Sequence, residues 1–437
     1  MQLEIILSDL KKEQTGNMMF RLIETLYPIC RSITGKGVRS TLNELNKFIP
    51  IQTTEVPTGT TVFDWTIPKE WNITDAWIKD LSGEKIIDFS NSNLHILNYS
   101  TPINKRLHLT ELKPHLYTLP QFPDWIPYKT SYYAENWGFC MTHRQFLELK
   151  DQEYQVFIDS TLKDGSLTYG EFYIPGKSKE EVLFSAHICH PSLCNDNLSG
   201  IAVMTFLAQT MTKIQLKYSY RFIFIPGTIG SITWLAKNED KVQNIRAGLI
   251  LSCLGDLGDF TYKKSRRGDS EIDRMVNLIL KQTQPEFNIV DFYPYGYDER
   301  QFCSPGFNLP VGSLSRSAHG TFKEYHTSAD NLDFIKAGKL LESLNLCLRV
   351  IHAIESNKYF INTNPKCEPQ LGKRGLYSAI GGHQGARTKE MAMLWILNMS
   401  DGHHSLSTIS EKSNIDFPLI YETALILENY NLIKEVS

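Results

Sequence analysis

The sequence predicts a mixed α/β protein: a largely parallel sheet covered by helices, a β-rich module set into it, and a helical C-terminal domain. Three observations carry this. First, apolar runs at Val182-Leu-Phe, Tyr220-Arg-Phe-Ile-Phe-Ile and Ala247-Gly-Leu-Ile-Leu alternate with helical patterns, the βαβ arrangement of a parallel sheet. Second, residues 53–127 break into short apolar segments separated by Pro, Gly, Asn and Ser. Third, three amphipathic patterns and a last short strand follow a Pro- and Gly-containing stretch at 361–385, an order that fits a winged helix-turn-helix. The expected organisation is 1–52 with 128–360 as the main domain, 53–127 as the insertion, 361–385 as a linker and 386–437 as the winged helix.

Taken in order, residues 17–49 read as helical. Met18, Met19, Leu22, Ile23 and Leu26 recur at helical spacing, as do Leu42, Leu45 and Phe48. Gly35-Lys-Gly37 between them reads as a loop flanked by Arg31 and Arg39. Within 53–127, Thr61–Ile67, Asp75–Ile78 and Lys85–Phe89 are strand candidates, and His95, His108 and His115 are structural or solvated. Aromatic residues crowd Pro127–Tyr133 and Asn136–Cys140, as core or as an apolar wall beside a cleft. Gln155–Asp159 and Leu167–Ile174 alternate like a hairpin leading into the Val182 strand. Late in the chain, Ser328 or Asp330 precedes an apolar helix expected from Leu332 to Ile351.

Composition excludes several classes of function. The 437 residues are 42% hydrophobic and 21% charged, with a formal net charge of −3. That balance offers no field for nucleic acid or an anionic membrane. Residues 386–437 carry four Lys/Arg against seven Asp/Glu, so the winged helix is expected to dock or oligomerise rather than read DNA. Homo-oligomers through it or through the β-rich module are left open. No run reaches transmembrane length, the N-terminus lacks a signal-peptide pattern, and eight cysteines show no paired framework, so a reducing cytoplasm is expected. Cys189 and Cys194 flank His190, but no second Cys-x-x-Cys pair completes a zinc knuckle.

The chemistry centres on residues 184–200. His187 falls at the end of the Val182 strand, and a short loop then delivers Asp196 before a helix beginning near Leu198. Imidazole and carboxylate at a parallel strand's end suit a divalent metal. They equally suit a turn held by a capping His and Asp. His326, in Tyr325-His-Thr-Ser-Ala-Asp330, offers a third ligand.

The strand-end His187, the turn Asn195-Asp-Asn-Leu-Ser-Gly200 and Tyr325-His-Thr-Ser-Ala-Asp330 together resemble the co-catalytic zinc aminopeptidases. The closer likeness is to bacterial aminopeptidase-like proteins with an inserted β domain and a C-terminal winged helix. Arg31–Arg39, Trp137-Gly-Phe-Cys140 and Asp298-Glu-Arg-Gln-Phe-Cys-Ser-Pro-Gly306 support it. The resemblance implies a zinc-exopeptidase-type mixed sheet and hydrolysis of small peptides or aminoacyl amides. It implies zinc held by His187, Asp196 and His326, with one ion favoured and two allowed.

The chain departs from that pattern where a general-base Glu is expected, because Phe224-Ile-Pro-Gly227 places glycine there. A side chain of hydrogen can neither take a proton nor bind a metal. His187-Ile-Cys189 likewise replaces His-x-Asp, Gly227-Thr228 replaces Glu-Glu, and Asp256 is displaced from the expected carboxylate. Glu299 is the expected surrogate base, with the adjacent Asp298 as the second catalytic candidate. Arg316 and Tyr325 are expected to meet a substrate carboxylate or oxyanion, or to be structural hydrogen-bonders, and Arg39 to hold a carboxylate at the cleft. The alternative is a zinc-containing binding protein that has lost the base and acts through the cleft or the winged helix.

Overall fold

The computed structural model describes residues 12–376 and 384–436. The chain divides into two compact units, residues up to Ser270 with Asn288–Asn345, and Glu271–Phe287 with the chain from Leu346 onward.

The first unit is built on an eight-stranded mixed sheet. Its spatial order is Gln52–Pro57, Ser166–Ile174, Ser219–Ile225, Glu181–His187, Ile245–Leu251, Val311–Ser315, Phe260–Lys263, Phe287–Val290. The four strands from Ser219–Ile225 to Val311–Ser315 run parallel, and the outer pairings that join them to Ser166–Ile174 and Phe260–Lys263 are antiparallel. Strands Glu181–His187 and Ser219–Ile225 are buried along their whole length, as expected of parallel strands covered on both faces. Their uninterrupted apolar runs are what made them readable. Glu181 and Arg221 put a buried ion pair into these strands, joined by bonds of 2.6 and 2.9 Å across the two. The helix Gly200–Met211, apolar on nearly every face, is correspondingly buried.

A four-stranded antiparallel sheet carries the β-rich module, in the order Lys85–Asp88, Glu70–Lys79, Glu153–Lys163, Ile103–His108. Here the expected hairpin differs from the structure. Glu153–Lys163 pairs with Glu70–Lys79 and Ile103–His108, whereas Ser166–Ile174 pairs with Gln52–Pro57 and Ser219–Ile225. Both flanks of each strand are taken, so the two residues between them carry the chain from one sheet to the other. The N-terminal helices run Lys12–Leu26 and Lys36–Leu45, so Lys36 and Gly37 of the expected loop already belong to the second helix, which also carries Arg39. The late helix begins at Ala337, not Leu332, because Asp330 turns inward to other partners instead of capping it.

In the second unit, strands Tyr359–Asn362, Asp401–Ser405 and Ile433–Glu435 form a sheet against helices Gln384–Met399, Leu406–Ser413 and Phe417–Asn429. Helix Glu271–Thr283 joins them: Gln282 donates to Ser410 Oγ and accepts from the Phe417 N–H. Strand Tyr359–Asn362 occupies the start of the expected linker, and residues 377–383 of that linker lie outside the described residues. Among the described residues no helix is long and apolar enough to cross a membrane.

Candidate metal centre

His187 is the last residue of its strand, at the carboxyl edge of the parallel strands, where α/β sheets place their sites. The loop after it returns Asp196 to the same point. Gly200, which opens the following helix, has no room for a Cβ: the Leu251 carbonyl and the Asn197 side-chain amide close on it. The loop is thus pinned against the neighbouring strand.

Asp196 is 1% exposed and three imidazoles face it. His187 Nε2 lies 2.7 Å from Oδ1, His326 Nε2 lies 3.0 Å from Oδ2, and His190 Nε2 lies 3.9 Å from Oδ2. The expected set of His187, Asp196 and His326 therefore does come together. His190 joins it, a residue that sequence reasoning missed as a ligand, although its place three residues beyond the strand-end His187 could have signalled it. Burial holds His190 well below the ordinary imidazole range, against the pull of Asp196, so at neutral pH it is uncharged with a free lone pair. The donor set, imidazole nitrogens around one buried carboxylate with no Lys or Arg bound to it among the described residues, fits a borderline-soft divalent cation such as zinc. The thiols fit less well, for burial pushes Cys189 up to about 12 despite its bonds from the Gly227 N–H and Tyr297 hydroxyl.

Surrounding residues fix this cluster. Asp330 accepts the backbone N–H groups of Asn195 (2.6 Å) and Asp196 (3.0 Å), and Asp256 accepts from Asn195 Nδ2 at 2.7 Å. His326 adopts a left-handed backbone (φ 54°) and is clasped between Tyr325, stacked at 3.9 Å, and Tyr128, edge-on at 5.0 Å. The Tyr128 N–H donates to the His326 carbonyl, so part of the aromatic crowd at 127–133 does border the site. Burial and the nearby Asp196 charge push the Tyr325 phenol up, keeping it a donor.

The other candidates are committed elsewhere. Glu299 is fully buried, its Oε1 bound to Lys263 Nζ at 2.7 Å and both oxygens accepting from the Tyr297 N–H. Arg316 stacks on Phe260, pairs with Glu342 at 2.6 Å and donates to the Gly258 carbonyl at 2.9 Å. Arg39 joins Glu70, Glu55 and Thr168. Asp298 is different. Its Oδ1 accepts from the Thr228 N–H (2.7 Å) and Ser231 Oγ (3.0 Å), while Oδ2 is buried without a partner. Burial raises its carboxyl to about 6, the Thr228 bond and the His187 ring opposing.

At Gly227 the space a side chain would need is filled. A Cβ there would overlap the Tyr297 hydroxyl and approach the ring carbons at 2.5 and 2.7 Å. The Tyr297 ring in turn stacks on His187 at 3.8 Å.

Fold and site together define an aminopeptidase-like α/β protein with a C-terminal winged helix. The chain belongs to the family described as a domain of unknown function (DUF4910), whose model matches residues 20–357, and a winged helix-turn-helix model matches 358–435. A Clostridium acetobutylicum protein named for polysaccharide biosynthesis and an aminopeptidase-like domain is 54% identical over 423 residues, 97% of each chain. A crystal structure from the same organism, named as a peptidase, is 51% identical and superposes with a TM-score of 0.95 over 100% of this chain and 99% of that one. A zinc aminopeptidase from Bacillus subtilis shares the fold at 12% identity, with a TM-score of 0.56 over 79% of this chain and 95% of its own.

Proposed function

We propose that the protein is a zinc-dependent aminopeptidase-like hydrolase of small peptides or aminoacyl amides. The observation that carries this is the convergence of three imidazoles on one buried carboxylate at the sheet's carboxyl edge. One zinc ion at Asp196, among His187, His190 and His326, is the favoured load. Such an ion supplies polarisation of the scissile carbonyl and lowers the pKa of bound water to about 7.

The chain's own residues supply the rest. Asp298, held in orientation through Oδ1 and unpartnered at Oδ2, is the group suited to take a proton and return it to the leaving amine. Its shift to about 6 leaves it ionised at neutral pH. Glu299, the expected surrogate, acts instead by holding Tyr297 through its N–H. Tyr128 and Tyr325 orient His326 and give the open side an apolar wall. The eight free thiols suit a reducing compartment such as the cytoplasm.

A zinc-holding binding protein without turnover also finds support in one observation, the Tyr297 phenol filling the space beside Gly227. A panel of aminoacyl amides and dipeptides separates the two. Hydrolysis that needs zinc and falls about 10²–10⁴-fold in Asp298→Asn supports the hydrolase. Bound zinc with no turnover of any panel member refutes it in favour of the binding protein.

A further inference from the structure

We propose that the inserted β module adds a platform of aromatic side chains to the mouth of the metal centre, and that this platform takes an aromatic or large aliphatic side chain of the substrate. This rests on the hydrolase reading above and deepens it by naming the group on the substrate that the protein selects. The platform is carried by a short hairpin, strands Thr61–Val62 and Trp65–Thr66, with Phe63 and Asp64 at its tip. Phe63 and Trp65 are 47% and 37% exposed, and Tyr133 beside them is 51% exposed. Trp65 meets Tyr133 edge-on at 5.4 Å, and Phe63 meets Phe307 edge-on at 5.8 Å. Large rings gathered in one exposed patch are costly to leave in water, and such patches mark binding surfaces.

The hairpin's neighbours tie it to the site. Tyr128 packs edge-on against His326 at 5.0 Å, and its hydroxyl lies 2.9 Å from that of Tyr132. The Tyr132 ring lies 6.4 Å from that of Tyr133, so aromatic contacts run without a break from the metal centre to Trp65. On the other side, Phe307 belongs to the turn after helix Glu299–Phe302, which follows Tyr297 and Asp298. The hairpin also lies against helix Ile229–Lys237, which starts two residues past Gly227. Three segments that border the centre thus touch it. Backbone conformation supports the same reading. Phe63 (φ 55°) and Tyr133 (φ 66°) both hold a left-handed conformation that bulky residues rarely adopt, and Asn or Gly is usual at the tip of a two-residue hairpin. Val62 and Ile67 are buried and anchor the hairpin, whereas Phe63 keeps its ring outside. Strain held at two exposed rings of one patch is not offset by core packing, and it points to a ligand. The rings offer that ligand apolar area and shape, which selects an apolar group.

The test uses the full zinc-loaded chain and alanine tripeptide amides carrying one Phe at the first, second or third position, with Ser and Glu versions as controls. Hydrolysis is followed for wild type, Trp65→Ala, Tyr133→Ala and Trp65→Phe, and binding of the same peptides is measured by calorimetry. Phe at one position should raise kcat/KM over the all-alanine peptide about 10-fold or more. Trp65→Ala and Tyr133→Ala should lose that preference through KM rather than kcat, and Trp65→Phe should keep most of it. Tyr133 lies on a separate segment, so its variant decides the matter if Trp65→Ala displaces the hairpin. No preference for Phe at any position, a stronger preference for Ser or Glu, or a Phe preference that survives both alanine variants overturns the platform, while hydrolysis itself leaves the function above standing. If no peptide is hydrolysed, yet a Phe peptide binds about 10-fold tighter than the all-alanine one and loses that gain in Tyr133→Ala, the platform stands and the hydrolase falls. If nothing is hydrolysed and no Phe peptide binds more tightly, both fall. A wild-type dimer that Trp65→Ala splits in light scattering gives the patch to a second copy of the chain and also overturns the platform.

Discussion

Gly227→Ala adds a single carbon, and the structure sets what that carbon costs. The new Cβ would sit 2.5 and 2.7 Å from two Tyr297 ring carbons and overlap the hydroxyl. Ordinary carbon contacts need about 3.5–4.0 Å, so the ring must retreat by roughly 1 Å. It has little freedom to do so, being stacked on His187 at 3.8 Å with its hydroxyl 3.6 Å from Cys189 Sγ. Overpacking of this kind costs about 1–3 kcal/mol. Replacing glycine recovers about 0.4–1 kcal/mol by restricting the unfolded chain. The expected net loss is therefore about 1–2 kcal/mol, read as a lowered urea midpoint at unchanged m. In a Tyr297→Ala background the same change should cost about 0.5 kcal/mol or less, a coupling that a double-mutant cycle isolates. A Gly227→Ala chain as stable as wild type, or an equal cost in both backgrounds, would refute the packing argument. The same clash means that Gly227→Glu alone cannot install a base, and only its combination with a smaller residue at 297 gives the carboxylate room.

Four further outcomes are expected. Arg221→Ala strands the buried Glu181 carboxylate and should destabilise by about 3–5 kcal/mol in denaturant titration, with Glu181→Gln in the same chain returning part of it. Lys263→Met should cost a similar amount by leaving Glu299 buried and unpaired, and Glu299→Gln in that background should recover stability; a Lys263→Met chain of wild-type stability would show that the pair matters little. Because Asp298 binds its proton more tightly folded (about 6) than unfolded (about 3.9), it should remove about 2 kcal/mol from the metal-free protein as pH rises from 4 to 6, and Asp330, pushed up to about 8 by burial, should add a loss in the same direction. Asp298→Asn should therefore lessen that slope by about half rather than abolish it, as pH-dependent urea melts would record. Asp330→Ala, which frees the Asn195 and Asp196 N–H groups, should weaken zinc binding about 10–100-fold in a chelator competition while leaving the stoichiometry at one.

The short apolar runs at 182–184 and 222–225, bounded by turn signals, read as strands covered on both faces, and that reading put His187 at a strand end. Periodicity likewise determined the helices of the winged domain, since amphipathic spacing is a local property of the chain. Partner choice is not local. Asp298 and Glu299 are neighbours of the same chemical type, yet one keeps a free oxygen and the other is bound to a lysine 36 positions away. Nothing in the turn Tyr297-Asp-Glu-Arg distinguishes them; the packing of distant strands does. The alternation at 155–174 read as a hairpin because strand periodicity is blind to which neighbour a strand pairs with. Arg39 and Arg316 carried the right charge for substrate, but ion pairs with Glu70 and Glu342 claim them only once the chain is folded. The fit of Tyr297 against Gly227 joins residues 70 apart, and only close packing in three dimensions makes the glycine a requirement rather than an omission.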